Sequence, residues 1–219
     1  MKTKFLSEFL GTAFLLMIVV GSGIMGENLA NGNSAIALLA NSLATGFGLF
    51  VLIQCLGSLS GAHFNPVVSF VERLWGRMTT NEMFLYWIAQ ISGAIIGVLL
   101  THIMFNQDIL QIAQKSRNET NLWISEVIAT FGLISVIALA GKKHVEFAPL
   151  TIASYIAAAY WFTSSTSFAN PAVSIARSLT DTFCGIGPAG VSMFIVAQFV
   201  GALISFFLLR NLKVYDEVL

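Results

Sequence analysis

The side chains in this sequence that could do chemistry are few, and most lie inside apolar runs. Glu8 and Glu126 each follow a serine and interrupt hydrophobic stretches, in SEFLGTAF and SEVIATFG. An ionisable group in such a setting is costly and usually functional, so a proton-coupled role is one reading of the pair. Two Asn-Pro dipeptides, Asn65-Pro66 and Asn170-Pro171, lie in equally apolar surroundings. Asn caps a helix and Pro fits its first position, so each dipeptide should start a helix with a hydrogen-bonding amide at its tip. His63 precedes the first dipeptide with no second ligand in reach by spacing, which favours a neutral pore-lining or loop-bracing imidazole over a metal ligand. His102 and His144 fall near the ends of apolar runs and carry no signal. Cys55 and Cys184 have no ligand-like spacing and read as free, small apolar fillers. Arg177 has Asp181 four residues on, the spacing of an ion pair along a helix. No nucleophile–base pair and no metal cluster emerges, so neither an enzyme nor a bound metal or cofactor is expected.

The elements that must position these groups are membrane spans. Of 219 residues 56% are hydrophobic and only 10% charged, too little charge to cover a soluble domain of this size. The mean hydropathy of +0.80 agrees, and a net charge of +0 offers nothing to nucleic acid. A helical crossing needs roughly 20 apolar residues. Runs of that kind occupy 5–25, 35–56, 83–105, 122–141, 146–164 and 189–210. The first follows Lys2 and Lys4 and has the profile of a secretory signal. It is expected to be a retained span, because Glu8 interrupts it and its pattern returns at Ser125. With the N-terminus inside, Lys2, Lys4, Arg73, Arg77, Lys142, Lys143, Arg210 and Lys213 are cytoplasmic. Only Lys115, Arg117 and Arg177 fall outside. That bias predicts two cytoplasmic termini.

The chain also repeats itself. Ser7-Glu8 matches Ser125-Glu126, Asn65-Pro66 matches Asn170-Pro171, and Ala89-Gln90 matches Ala197-Gln198, in one order and at nearly one offset. Three spans per half is an odd number, so the halves must enter the membrane from opposite sides, with a shared site between them. The expected organisation is one channel domain over 1–219, with repeats at 1–110 and 122–213 and a linker at 111–121. Roughly ten residues separate each Asn-Pro from the next break, so the helix it starts is ~15 Å long, about half the hydrocarbon thickness. Gly61-Ala62-His63 and Ser167-Phe168-Ala169 must then run in as non-helical backbone, which survives at that depth only if buried or lining a wet cavity. Inversion brings the two helix N-termini together, a junction that repels cations and orients neutral molecules. The fold class expected is therefore all-α: six transmembrane helices and two re-entrant half-helices in an inverted three-plus-three repeat.

These features resemble the aquaporin, or major intrinsic protein, family over nearly the whole chain. Gly61-Ala62-His63-Phe64-Asn65-Pro66 is similar to the family's first motif, with Val67 where Ala is usual, and Phe168-Ala169-Asn170-Pro171-Ala172 to its second. The resemblance implies one pore per protomer, homotetramers, and a loop-bracing role for Glu8 and Glu126 as acceptors from the re-entrant backbone. It also implies a selectivity constriction. The Arg that usually follows the second motif is here Val173, and counting back from the Asn anchors without gaps puts Thr45, Ala158 and Ser167 at the other positions. That threading predicts a wide, weakly polar filter with no aromatic, imidazole or guanidinium. Arg177 is assigned chiefly to a pair with Asp181, with a place at the outer vestibule as the alternative.

The segment NPAVSIARSLTDTF looks like that of bacterial aquaglyceroporin-like channels associated with arsenic resistance. The function expected is a passive channel in a cell membrane for small uncharged solutes: glycerol-like polyols, metalloid hydroxides or methylated arsenicals, and water. A water-selective aquaporin and an inverted-repeat secondary transporter are the alternatives.

Overall fold

The structure, a computed structural model, describes residues 1–143 and 145–214. His144 and residues 215–219 lie outside the described residues, as do the side chains of Lys142 and Lys143, so the expectations for His144, Lys142 and Lys143 fall there. Every regular element among the described residues is helical. In chain order these are α1 (Lys2–Leu29), α2 (Ser34–Ser60), α3 (Pro66–Leu74), α4 (Thr80–Met104), α5 (Thr120–Lys143), α6 (Ala148–Phe162), α7 (Pro171–Ala176) and α8 (Pro188–Asn211). Short 3-10 turns at Val145–Phe147 and Arg177–Leu179 precede α6 and follow α7. The six expected spans fall on α1, α2, α4, α5, α6 and α8, and the two half-helices on α3 and α7. Five of the six are long and apolar enough to cross a membrane. The sixth, α6, has 15 residues, ~22 Å of helix, and is lengthened at its start by the 3-10 turn.

Helix starts follow from local chemistry. Asn33 accepts from the backbone N–H groups of Ala35 and Ile36 to open α2, and Thr79 with Glu82 forms a capping box on α4. Asn65 and Asn170 do the same for the half-helices, each with Pro at the first helical position.

The long helices form two like sets: α1 packs on α2 and α4, α5 on α6 and α8, and α2 meets α6 between them. Within each set glycines permit the closest approach. A Cβ on Gly93 would stand 2.3 Å from the Phe9 carbonyl oxygen, and one on Gly201 2.3 Å from that of Val127. No side chain fits in either place, so the backbones touch directly. Large apolar side chains such as Phe14, Phe47, Ile88, Ile128 and Phe207 face outward, the surface a bilayer covers. Each half-helix packs against both α4 and α8, one helix from each half, so α3 and α7 are held end to end in the middle of the molecule.

Candidate functional site

At the midplane the chain must run as loop, and both loops solve the problem in one way. Ala62 and Phe64 have φ of 50° and 49°, and Ser167 and Ala169, each 105 residues further on, have 49° and 47°. A left-handed residue other than glycine costs on the order of 1 kcal/mol or more, so something must hold these backbones. Glu8 does so in the first half. It accepts from His63 N (3.0 Å), Phe64 N (2.7 Å), Ser60 Oγ (2.6 Å) and Gln90 Nε2 (2.8 Å). Glu126 accepts from Phe168 N (2.9 Å), Ala169 N (2.8 Å), Ser165 Oγ (2.6 Å) and Gln198 Nε2 (2.7 Å) in the second. Both carboxylates are fully buried, with neither lining the cavity described below. Gln90 and Gln198 are thus part of the brace. Sequence reading used them only as repeat markers, although that repetition was the available signal.

The two half-helix tips are tied across the midplane. Asn65 Nδ2 donates to Ala169 O (2.7 Å) and Asn170 Nδ2 to Phe64 O (2.8 Å), while each Oδ1 accepts from its own cap N–H groups. One N–H of each amide is engaged in this way, and among the described residues the other makes no bond, with both Asn residues lining the cavity described next. Pro66 and Pro171 start the helices, and Val67 and Ala172 are fully buried behind the tips, away from the cavity wall.

A cavity of about 280 Å³ runs past these amides. Its wall is mostly apolar, from Leu15, Val19, Leu49, Ile152 and Ile156, with Gly61, Ala62, His63, Asn65 and Asn170 supplying polar atoms near the middle. His63 Nδ1 lies 3.0 Å from Ser69 Oγ, which fixes its ring beside the lining. Phe168 also lines the cavity; Ala169 does not, its carbonyl being held by Asn65.

The cavity wall includes Thr45, Ser167 and Val173 and leaves Ala158 out. Ala158 is exposed on the outward face of α6, and Tyr160 lines the cavity, its hydroxyl 3.2 Å from that of Thr45. The gapless count fails because α6 ends at Phe162 and residues 163–169 are not helical, so the offset from Asn170 does not carry into α6.

Arg177 also lies elsewhere than its spacing suggests. It is buried and forms part of the cavity wall, its guanidinium 3.4 Å from the centre of the Phe168 ring and its Nε donating to Cys184 O. No ion pair joins it to Asp181, whose Oδ1 accepts from Gln114 N at 2.9 Å. The i+4 spacing lapses because α7 stops at Ala176, and the chain leaves the helix before Asp181. The cavity wall thus includes an aromatic side chain, Tyr160, and a guanidinium, Arg177, which the threading did not place there. The missed signal was numerical: the offset of 105 that pairs the Asn residues also pairs Arg177 with Glu72, and Glu72 lines the same cavity.

Such a molecule is a passive membrane channel. It has two opposed half-helices tied tip to tip, a narrow cavity passing their amides, and no catalytic constellation among the described residues. Residues 1–179 match the Major intrinsic protein family model. The chain is 48% identical over 204 residues to the aquaglyceroporin AqpS of Rhizobium meliloti (strain 1021), covering 93% of this chain and 87% of that one. It is 34% identical over 134 residues to aquaporin TIP1-2 of Musa acuminata, 59% of this chain and 53% of that one. In fold it resembles the aquaglyceroporin from Plasmodium falciparum, with a TM-score of 0.75 over 99% of this chain and 98% of that one at 20% identity. The chain belongs to the major intrinsic protein family.

Proposed function

We propose that the channel passes small uncharged polyols and hydroxides, glycerol foremost, together with water, and rejects cations. The observation that carries this reading is the cavity wall. Its lining combines apolar side chains such as Leu15, Leu49 and Ile156 with polar groups from Thr45, Tyr160, Arg177, Asn170, Asn65 and His63. A molecule that carries both hydroxyls and C–H groups satisfies both at once. Cations meet the Arg177 charge and the two positive helix ends, and any ion must also lose its hydration. Metalloid hydroxides and methylated arsenicals are uncharged solutes of the same class and follow by the same chemistry. The name of the Rhizobium meliloti relative, an aquaglyceroporin, supports the polyol reading.

The protein acts in a cell membrane with both termini cytoplasmic, as the distribution of Lys and Arg supports, and as a homotetramer, as family resemblance supports. Residues 1–110 and 122–213 act as its two repeats.

Stopped-flow light scattering on proteoliposomes tests the proposal. Glycerol entering at least about tenfold faster than in empty liposomes, slowed by Val173→Arg, supports a neutral-solute pore. Fast water movement with no glycerol entry would instead identify a water-selective channel, and saturable uptake driven by an ion gradient a transporter.

A further inference from the structure

The loop at 105–119 is built across the outer mouth. Ala113 N donates to Ser178 O (3.0 Å), Gln114 N to Asp181 Oδ1 (2.9 Å) and Gly187 N to Lys115 O (2.8 Å). These bonds lay the loop over the end of α7 and deliver Lys115 and Arg117 to a surface concavity of about 330 Å³. Trp161, Thr166 and Arg177 complete that part of its wall, and Arg177 lines both this concavity and the central cavity.

The three cations are held but not neutralised. Lys115 Nζ donates to Phe183 O (3.1 Å), and Arg117 donates through Nε to Gly185 O (3.1 Å) and Nη1 to Ser165 O (3.0 Å). Arg177 donates through Nε to Cys184 O, and both guanidiniums lie over the Phe168 ring, at 5.2 and 3.4 Å. Among the described residues no carboxylate lines the concavity, and the Asp181 carboxylate is taken by the Gln114 amide. Burial, then the two guanidiniums, pulls the Lys115 ammonium below the usual lysine range, against a smaller opposing effect of Cys184 and Glu27. Arg117 is pulled down to about 10, first by burial and then by Arg177.

We propose that this concavity is a binding site for one small oxyanion, a carboxylate or a tetrahedral oxyanion, seated among Lys115, Arg117 and Arg177. The Nη groups of Arg177 and the second Nη of Arg117 remain as donors, and guanidinium forks match the spacing of two oxygens on one centre. A concavity this size lies at the small end of ligand sites, which suits a free ion or a single headgroup and excludes a nucleotide. The site does not depend on what the pore conducts.

The test uses the full chain in nanodiscs of neutral phosphatidylcholine, with inorganic phosphate titrated at constant ionic strength. Calorimetry measures binding, and Trp161 on the wall supplies a fluorescence signal. Saturable binding, weakened about tenfold or more by reversing one of the three charges with Lys115→Glu, is the expected result. Lys213→Glu, at the opposite end, should bind phosphate as tightly as the unmodified chain. Absence of saturable binding, or equal affinity in Lys115→Glu, would overturn the site. Repeating the titration in nanodiscs containing phosphatidylglycerol separates the two sources of the ligand. Unchanged affinity assigns the site to a soluble oxyanion, and competition assigns the same site to an anionic lipid headgroup. Glycerol flux is measured separately, so a pore that fails to conduct glycerol refutes the proposed solute and leaves the binding result standing.

Discussion

Seven residues beyond its Asn, the first half-helix carries Glu72, and the turn that follows the second carries Arg177, although the carboxylate braces beside the two Asn residues match closely. Glu8 and Glu126 each take two backbone N–H groups, a serine hydroxyl and a glutamine amide. The same two positions in each loop have positive φ. The far ends diverge. Glu72 lines the cavity and lies 3.4 Å from Arg77 Nη1, whereas Arg177 has no acidic partner among the described residues and rests on Phe168. The midplane has little freedom, because backbone polar groups must be satisfied wherever a chain breaks helix inside a membrane. The half-helix ends are free of that demand and can differ in charge, so selectivity can evolve there without disturbing the fold.

The likeness at the midplane makes the largest prediction. Glu8→Ala and Glu126→Ala should each cost about 3–5 kcal/mol, since either leaves several buried donors unpaired. Thermal unfolding in detergent measures both, and a difference of several kcal/mol between them would break the equivalence.

Beneath this likeness the packing is complementary, not identical. The Phe64 ring lies against Gly11, where an added Cβ would come within 2.0 Å of it, while the corresponding positions in the second half are Ala169 and Ala129. Gly11→Ala should therefore destabilise by about 1–3 kcal/mol through overpacking. Ala129→Gly, which only loosens a helix, should cost about 1 kcal/mol. Equal costs in unfolding experiments would mean that the Phe64 ring simply moves aside.

At the ends the contrast sharpens instead. Arg177→Gln should raise sodium leak in proteoliposomes by about tenfold, because a buried positive charge is removed from the cation path. Glu72→Gln should leave that leak unchanged or lower it. A leak raised equally by both would show that the two charges act as one pair.

The smallest effects belong to α6. Tyr160→Phe should cost about 1 kcal/mol by removing the bond to Thr45 and should alter glycerol flux. Ala158→Leu, on the exposed face, should change neither stability nor flux. A flux effect from Ala158→Leu would return the threaded position to the pore.

Much of this was legible in the amino-acid sequence. Glu8 and Glu126 stood out because charge inside apolar runs is rare, and the Asn-Pro pairs because Asn before Pro is a local start signal. Paired at nearly constant offset, they implied the opposed half-helices. Helix length and capping are local properties, so α1 to α8 followed closely from periodicity and punctuation. Ala158 was misplaced because a gapless count assumes that residues 163–169 advance along the axis as a helix does, and they do not.

What the amino-acid sequence determined, then, was everything set by neighbours along the chain and by the demand that buried backbone be bonded: six spans, two half-helices, and the carboxylates that brace them. Only the tertiary structure decided which side chains face the solute. Whether Arg177 pairs with Asp181 or stacks on Phe168 depends on where α7 stops. Whether Lys115 and Arg117 belong to a linker or to the mouth depends on bonds from residues 113–115 to residues 178, 181 and 187. In the sequence, Lys115, Arg117 and Arg177 were three exceptions to a charge bias. Folding gathers them because the loop that joins the two halves is bonded to the residues that follow the second half-helix.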